Sequence, residues 1–277
     1  MAALDQEQTV IVKNFAKNIR KEVIKMITAA QSGHPGGSLS IADLIALLYT
    51  TEMKIDPAQP NAADRDRLVL SKGHAAPAVY AALALKGYFK KEELNGLRKI
   101  NCMLQGHPDM KHTPGIDMST GSLGQGISAA CGMALAGKMD EAPYRVYAIL
   151  GDGELEEGLV WEAAMFAAHY KLDNLTAFID YNGLQIDGNI TDVMSSLPIP
   201  EKWAAFGWHV IETDGHDIQA LHEAIAEAKT VAGRPTAIVM KTIKGKGVSE
   251  MENKAGWHGK APSFEQEPVF LSELEGE

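Results

Sequence analysis

The stretch that decides the fold is "ILGDGELEEGLVWEAAMFAAHYKLDNLTAFIDYNG", residues 149–183. Its two apolar runs each end in a small polar cluster, and a helix-like segment lies between them. The order strand, helix, strand predicts two parallel strands, because a right-handed crossover brings both into one sheet with the same direction. Asp152 and Asn182 directly follow these strands. We therefore expect both side chains at the edge of the sheet where such folds bind ligands.

These two side chains have the chemistry of a magnesium site. One carboxylate and one amide oxygen, with room for phosphate and water, suit an ion that takes few ligands from protein. Gly151 and Gly153, which flank Asp152, allow the backbone to approach an anion closely. Gly-Asp-Gly and Asn-Gly are also common turn sequences, and for either one alone the turn is the better interpretation by roughly three to one. The magnesium hypothesis therefore depends on the two occurring together.

The rest of the chain extends the alternation of strands and helices. The strands are nearly continuous apolar runs, as expected where both faces of a sheet are covered. We predict an α/β fold, a parallel sheet with helices on both faces, in a single domain over residues 1–277. An acidic tail at about 263–277 is either loose or lies over a neighbour. The predicted strands are 145–150, 175–180, 208–213 and 236–242, and two of the predicted helices are 159–171 and 217–231.

Helical periodicity marks the N-terminal part of the chain. A first helix, "FAKNIRKEVIKMITAA", is predicted to end with Gly33 as its C-cap. A second is predicted to begin near Ser40, with Asp43 three residues later in a capping-box-like arrangement. A short apolar run over residues 67–71 is left without an assignment, and a buried helix is predicted over 127–138.

The composition excludes several classes of protein. The chain has 277 residues, 45% of them hydrophobic, and a formal net charge of -10. An acidic chain lacks the basic footprint that nucleic acid requires, so we expect no nucleic-acid partner. No apolar run approaches the ~18 residues of a membrane span, and the first ten residues lack a signal-peptide pattern, so we expect no membrane contact. The two cysteines match no metal or redox spacing, which favours a reducing cytoplasm.

A glycine-rich loop, "STGSLGQGISAACG", precedes the predicted helix 127–138. Free backbone N–H groups at the start of a helix favour a phosphate or a polar cofactor edge. Within the loop, "GQGISA" matches a dinucleotide-binding pattern, but the residues before it do not resemble a strand. A flexible loop whose small residues allow close packing is the alternative interpretation.

Four histidines lie in loops that contain Gly or Pro. They are His34, His74, His107 and His258. Loop residues on a rigid scaffold often carry function, and histidine exchanges protons near neutral pH. A zinc site is the rival hypothesis, and no zinc-binding spacing supports it. Histidines in predicted strands or helices receive a structural interpretation; they are His169, His209 and His222.

Taken together, these blocks resemble the transketolase family. "GDGELEEG…IDYNGLQIDG" is similar to the thiamine diphosphate signature, which opens with G-D-G and closes about thirty residues later with Asn. "SGHPGGSLSIADLIALLY", "LVLSKGHAAPAVYAAL", "GHPD…GSLGQG" and "NKAGWHGKAP" resemble the family's other blocks in order. The resemblance covers about residues 14–262 and implies the thiamine diphosphate-binding fold. Family chains are more than twice as long, so the chain resembles the N-terminal subunit of a split transketolase.

The resemblance implies a set of cofactor-binding residues. Asp152, Asn182 and the backbone carbonyl of Leu184 correspond to the Mg²⁺ ligands. The Gly153 N–H and His74 correspond to contacts with the diphosphate of thiamine diphosphate. Gly121 and Leu123 correspond to contacts with the aminopyrimidine. Ser122, where many members have Pro, and His258 are further cofactor positions. Lys244 is the last, and it either adds charge to the diphosphate pocket or is solvated.

The catalytic positions also follow from the resemblance. His34, His107 and His258 correspond to residues that face the sugar donor and handle its hydroxyl protons. Glu157 corresponds to a residue that contacts an activating Glu across a subunit interface. That Glu belongs to the pyrimidine-binding domain, so we expect it on a separate C-terminal transketolase subunit, in an α₂β₂ assembly.

The implied activity is transfer of a two-carbon ketol unit from a ketose phosphate to an aldose phosphate. Thiamine diphosphate holds the electron pair when the ketose C2–C3 bond breaks. Within the family, two alternatives remain: a subunit of a deoxyxylulose phosphate synthase-like enzyme, or one of a sulfo- or apiose-sugar transketolase. From other classes, an NAD-dependent dehydrogenase and a non-catalytic subunit that binds cofactor also remain.

Overall fold

A parallel β-sheet forms the centre of the chain, in a computed structural model that describes residues 3–276. Its five strands are β1 (Arg67–Leu70), β2 (Val146–Gly151), β3 (Leu175–Tyr181), β6 (His209–Asp214) and β7 (Thr236–Lys241). They lie in the order β1-β2-β3-β7-β6, and every neighbouring pair runs parallel. A separate antiparallel pair consists of β4 (Leu184–Gln185) and β5 (Gly188–Asn189).

Helices cover both faces of the sheet. Along β2, Tyr147 and Ile149 belong to one buried cluster, whereas Ala148 and Leu150 belong to the other. This alternation is the two-residue period of a strand, and because both sets are apolar each face needs its own layer of helices. The helices are α1 (Gln6–Ala30), α2 (Pro35–Leu39), α3 (Ala42–Leu47), α4 (Ala76–Lys86), α5 (Gln125–Met139), α6 (Gly158–His169), α7 (Ile190–Val193), α8 (Ile199–Ala205), α9 (Ile218–Thr230) and α10 (Glu267–Glu275).

The two layers have different members. Buried residues of α1, α3, α4 and α9 form one cluster with one face of the sheet. Buried residues of α5, α6 and α8 form the second cluster on the opposite face. The predicted fold class, a parallel sheet with helices on both faces, is therefore confirmed.

The strands next to the site agree with the sequence to within one residue. β2 ends at Gly151 and β3 ends at Tyr181, and Gly151 pairs with Asp180 in the register of the two strands. The residues after both strands therefore start from the same edge of the sheet. The apolar run 67–71, which the sequence left unassigned, supplies the edge strand β1.

Two predicted helix ends are wrong. α1 ends at Ala30, and its cap is Gln31 in the left-handed conformation, so Gly33 lies beyond the end of the helix. The capping box at Ser40 and Asp43 does not form, since α3 begins at Ala42 without a side-chain cap. Both side chains have distant partners instead: Ser40 donates to Asp180, and Asp43 pairs with Arg20.

The acidic C-terminal segment contains a helix. α10 packs on α1, and its Phe270 and Leu274 are buried in the same cluster as the interior of α1. The apolar side of this segment therefore lies against the same chain. In the described range 3–276, no helix combines the length and the hydropathy that crossing a membrane requires.

Candidate active site

A pocket of about 250 Å³ lies beyond the carboxyl ends of β1, β2, β3 and β7. The segments after these strands supply most of its lining, which is where open parallel sheets bind ligands. Eight of the predicted cofactor, metal and catalytic residues line it: His74, Leu123, Asp152, Gly153, Asn182, Leu184, Lys244 and His258.

The remaining candidates lie around this pocket rather than in its lining. His34 contacts two of the lining histidines through its ring. A side chain added at Gly121 would meet the ring of His107 at 3.2 Å, so these two residues lie against each other. Ser122 and Glu157 are exposed. The structure thus gathers one group of candidates in the pocket and leaves the others at its periphery.

Asp152 is held in a single orientation by backbone donors. Its Oδ1 accepts a hydrogen bond from the Gly153 N–H at 2.9 Å, and its Oδ2 accepts one from the Gly183 N–H at 2.6 Å. Its residue exposure is 2%. Burial and then the negative charge of Asp180 raise the pKa of Asp152 to about 7. A cation beside this carboxylate would favour its charged form, so the position fits a metal ligand.

Asn182 and Leu184 present oxygens near the same carboxylate. The Asn182 Oδ1 accepts from the Leu184 N–H at 3.1 Å, and the Leu184 carbonyl accepts from Lys244 Nζ at 3.0 Å. Carboxylate, amide and carbonyl oxygens are the donors that Mg²⁺ takes in proteins. No three or more His, Cys, Asp or Glu side chains within residues 3–276 are grouped so as to hold a metal. A metal here would therefore depend on the amide, the carbonyl and ligand oxygens.

Three histidine rings form a cluster at the side of the pocket. The ring centroids of His34 and His74 are 5.2 Å apart, those of His34 and His258 5.4 Å, and those of His74 and His258 5.0 Å. Loops after α1, β1 and β7 supply one ring each. The sequence placed each of these residues in a functional loop, and the fold brings them together.

All three rings are neutral near pH 7. Burial, together with the charge of Arg98, lowers the pKa of His34 to about 4. Burial, together with the charge of Lys244, lowers the pKa of His258 to about 3. Burial also lowers the pKa of His74 well below its usual value. A neutral imidazole offers one donor and one acceptor, which suits hydrogen bonding to sugar hydroxyls.

Lys244 lies inside the pocket. Its exposure is 2%, and its Nζ lies 2.9 Å from Nδ1 of His258. Burial lowers the pKa of Lys244 to about 8, although the charge of Asp152 acts in the opposite direction. The alternative of a solvated lysine is therefore wrong, and the ammonium is available to a buried anion such as a diphosphate.

Two residues of the pocket lining, Lys72 and Asp180, belong to a buried polar network that was not identified from the sequence. Asp180 is completely buried, and its Oδ2 accepts from Lys72 Nζ at 2.5 Å, from Ser40 Oγ at 2.7 Å and from Asn182 Nδ2 at 3.1 Å. Its Oδ1 accepts from the Thr242 hydroxyl. Because the Asn182 NH₂ group donates to Asp180, its oxygen faces away from that carboxylate, accepts from the Leu184 N–H and keeps a second lone pair for another partner. The available signal was that Lys72 lies inside the block "LVLSKGHAAPAVYAAL", two residues before His74.

The histidines given a structural interpretation lie elsewhere. His209 contacts Glu227, His222 contacts Glu52, and His169 lies exposed at the end of α6. The dinucleotide pattern "GQGISA" also lacks its expected setting, since residues 97–123, which precede it, contain no strand. The NAD-dependent dehydrogenase alternative therefore lacks the strand that its fingerprint requires.

The sequence matches the family model described as "Transketolase, thiamine diphosphate binding domain" over residues 11–268. The chain is similar to "6-deoxy-6-sulfo-D-fructose transketolase subunit SqwG" of Clostridium sp., with 51% identity over 98% of each chain. It is also similar to one of the subunits of an apulose-4-phosphate transketolase of Phocaeicola vulgatus, with 42% identity over 92% of this chain and 90% of that one.

Longer relatives match over part of their length. Human transketolase is 47% identical over 92% of this chain, which spans 41% of the human protein. Among solved structures, transketolase from Leishmania mexicana superposes with a TM-score of 0.90 at 33% identity, over 95% of this chain and 41% of that one. Transketolase from Campylobacter jejuni gives a TM-score of 0.87 at 31% identity, over 96% and 46%.

Proposed function

The chain belongs to the transketolase family, whose thiamine diphosphate-binding domain it matches over residues 11–268, and from that premise we propose that it is the cofactor-binding subunit of a two-polypeptide transketolase. The proposed reaction moves a two-carbon ketol unit from a ketose phosphate to an aldose phosphate. The observation that carries the proposal is the meeting of Asp152, Asn182 and the histidine cluster around one pocket.

Thiamine diphosphate, when bound, supplies the electron sink for breaking and forming the ketose C2–C3 bond. In this proposal Lys244, His74 and the Gly153 N–H would hold its diphosphate. Asp152, Asn182 and the Leu184 carbonyl would hold Mg²⁺. The buried ammonium of Lys244 and the hard oxygens around it support these roles, because they match an anion and a divalent cation respectively.

The neutral histidines act on the sugar. His34 and His258 accept or donate hydrogen bonds to its hydroxyls and move their protons, and His107 does so from the side of Gly121. The pKa values of His34 and His258 lie well below neutrality, so each ring can accept a proton as soon as a neighbouring anion stabilises the charged form. Both His34 and His107 lie around the pocket rather than in its lining.

The missing part of the site is assigned to a partner chain. Ser122, beside the proposed aminopyrimidine positions Gly121 and Leu123, is exposed, and so is Glu157. A C-terminal transketolase subunit would cover this side and supply the activating Glu that Glu157 contacts. Two relatives named as subunits match over nearly their whole length, which supports two polypeptides, and an α₂β₂ assembly follows from the symmetry of such enzymes.

Sugar phosphates of the pentose phosphate pathway, in the cytoplasm, are the default substrates of this proposal. A sulfo-sugar is the second candidate, because the relative named for 6-deoxy-6-sulfo-D-fructose is 51% identical. The anionic group of the sugar distinguishes the two, since a sulfonate carries one negative charge where a phosphate carries nearly two at pH 7. An apiose-sugar transketolase activity and a deoxyxylulose phosphate synthase-like activity are the remaining alternatives in the family.

Reconstitution tests the proposal. The purified chain with Mg²⁺ and thiamine diphosphate is expected to be inactive in ketol transfer, and a polypeptide with the pyrimidine-binding and C-terminal domains is expected to restore activity. Substantial turnover by the chain alone would refute the two-polypeptide arrangement. Parallel assays with a ketose phosphate and a sulfo-ketose, each with the same aldose acceptor, separate the substrate candidates. If the complex binds cofactor but turns over no sugar, a non-catalytic role replaces the proposal.

A further inference from the structure

One buried carboxylate outside the proposed catalytic set joins three segments around the pocket. Glu154 is 2% exposed and lies in the turn directly after Asp152 and Gly153. Its Oε1 accepts hydrogen bonds from the Gly124 N–H at 2.9 Å and from the Ser71 hydroxyl. Its Oε2 accepts a third, from the Gly151 N–H at 3.0 Å. A carboxylate with both oxygens occupied in this way holds all its donors in one geometry.

The contact with Gly124 gives α5 the cap that its own sequence lacks. Gly124 is the N-cap residue of α5, has φ +79° and offers no side-chain oxygen, and the first turn of α5 contains no acidic residue. The N-terminus of a helix carries unpaired N–H groups and a partial positive charge, and both favour an anion. Here the anion comes from Glu154, which is thirty positions away in the chain.

The same carboxylate therefore connects two loops with different proposed partners. Gly124 follows the Gly121–Leu123 loop, which is proposed to meet the aminopyrimidine. Gly151 precedes the Asp152–Gly153 turn, which is proposed to meet Mg²⁺ and the diphosphate. The Ser71 hydroxyl ties this connection to α5 a second time, because it also accepts from the Ile127 N–H at 3.2 Å.

We propose that Glu154 is a positioning residue that couples the aminopyrimidine loop to the metal and diphosphate turn, so that ordering of either loop favours the binding-competent position of the other. This inference rests on the proposed function for the identity of the two cofactor halves. Glu154 belongs to the pocket lining, but both of its carboxylate oxygens are occupied by these donors, so the proposal gives it no contact with substrate or cofactor. Its contribution is the fixed distance between two backbone segments, and no hydrogen bond within α5 can replace it.

Two probes separate coupling from general damage. In the proposal thiamine diphosphate contacts both loops, whereas inorganic pyrophosphate reaches only the Asp152–Gly153 turn. Calorimetry measures the affinity of the complex of both subunits for each probe in the presence of Mg²⁺. Glu154→Gln keeps the side-chain size but places an NH₂ group against a backbone N–H. We expect its affinity for thiamine diphosphate to fall about tenfold more than its affinity for pyrophosphate, the scale of one lost charged hydrogen bond.

Glu156→Gln is the matched control. Glu156 lies in the same turn, is exposed, and accepts a hydrogen bond only from the Gln185 side chain at 2.9 Å among the bonds found in residues 3–276. Its variant is expected to bind both probes like the unmodified complex. A Glu154→Gln variant that loses both probes equally, or neither, overturns the coupling.

Hydrogen exchange in the ligand-free chain gives a readout that does not depend on the cofactor. The Gly124 amide is expected to exchange faster in Glu154→Gln than in the unmodified chain, and unchanged exchange contradicts the inference. If Glu154→Gln does not fold, Ser71→Ala decides, because it removes one donor to the carboxylate together with the acceptor of the Ile127 N–H, and it leaves both backbone bonds to Glu154. Its affinity for thiamine diphosphate should fall about threefold more than its affinity for pyrophosphate, and an equal effect on both probes overturns the inference.

Failure of the unmodified complex to bind thiamine diphosphate would refute the proposed function instead, and the exchange measurement would still test Glu154.

Discussion

Lys72 and Asp180 form a buried ion pair in the lining of the pocket, with 2.5 Å between Nζ and Oδ2 and with side chains 2% and 0% exposed. The Lys72 ammonium holds the pKa of Asp180 below its usual value although burial acts in the opposite direction. The ionised carboxylate also accepts from the Asn182 NH₂ group, so the pair fixes the orientation of that amide and directs its oxygen away from Asp180.

Removal of one member of this pair should destabilise the chain strongly. Lys72→Met leaves the Asp180 charge buried without its cation, and we expect a loss of about 3–5 kcal/mol in the free energy of unfolding, measured with urea. Asp180→Asn combined with Lys72→Met should lose less than the two single changes added together. Additive losses in this double-mutant cycle would show that the two side chains are not energetically coupled.

Loss of the Asp152 carboxylate should abolish tight cofactor binding. Asp152→Ala removes the one charged side chain in the proposed Mg²⁺ ligand set, and we expect affinity for thiamine diphosphate with Mg²⁺ to fall by at least ~100-fold in the complex. Calorimetry measures the change. Asp187→Ala is the control, because Asp187 is exposed in the turn between β4 and β5. Unchanged affinity in Asp152→Ala would remove the metal assignment.

The histidine cluster should matter for turnover rather than for folding. His34→Ala and His258→Ala are expected to keep the circular dichroism of the unmodified chain, yet to lower the rate of ketol transfer in the complex by roughly 10²-fold. His209→Ala, outside the pocket, should leave the rate unchanged. If both cluster variants turn over at the original rate, neither ring handles protons in this enzyme.

Stability should fall as the pH drops below 6.5, in part through His34. Its pKa is about 4 in the folded chain and about 6.5 when unfolded, so between these values the unfolded state binds more protons. The contribution of neutral His34 to the free energy of unfolding is fully present above pH 6.5 and is lost progressively toward pH 4. Because the ring is partly exposed, we expect ~1 kcal/mol.

Urea unfolding at pH 7.5 and pH 5 measures this effect. His34→Gln should reduce the difference in unfolding free energy between the two pH values, whereas His169→Gln, at an exposed position, should not. An unchanged difference in His34→Gln would mean that this ring titrates alike in both states.

Local sequence was sufficient for the part of the site that lies on consecutive segments. The apolar runs before Asp152 and Asn182 predict β2 and β3, and parallel pairing then places both residues at one edge. β1 escaped prediction because four residues are too few to show a period. Lys72 was not identified because a lysine after a strand is usually solvated. Its partner, the buried carboxylate of Asp180, lies 108 positions away in the chain.

The wrong capping box has the same cause. Ser40 and Asp43 have the residue types and the spacing of a helix start, but their side chains bond to Asp180 and Arg20. The partner of Ser40 is 140 residues distant, so no local pattern could reveal it. Tertiary hydrogen bonds outcompete local caps where the side chains are buried.

The β4–β5 pair at the mouth of the pocket bears on how such enzymes diverge. Its strands, Leu184–Gln185 and Gly188–Asn189, are joined by Ile186, which is 63% exposed, and Asp187. The pair does not hydrogen-bond to the main sheet. Its tip can therefore change in length or composition over generations without shifting the register of any core strand. Natural selection can retune what enters the pocket here while the inherited scaffold stays intact.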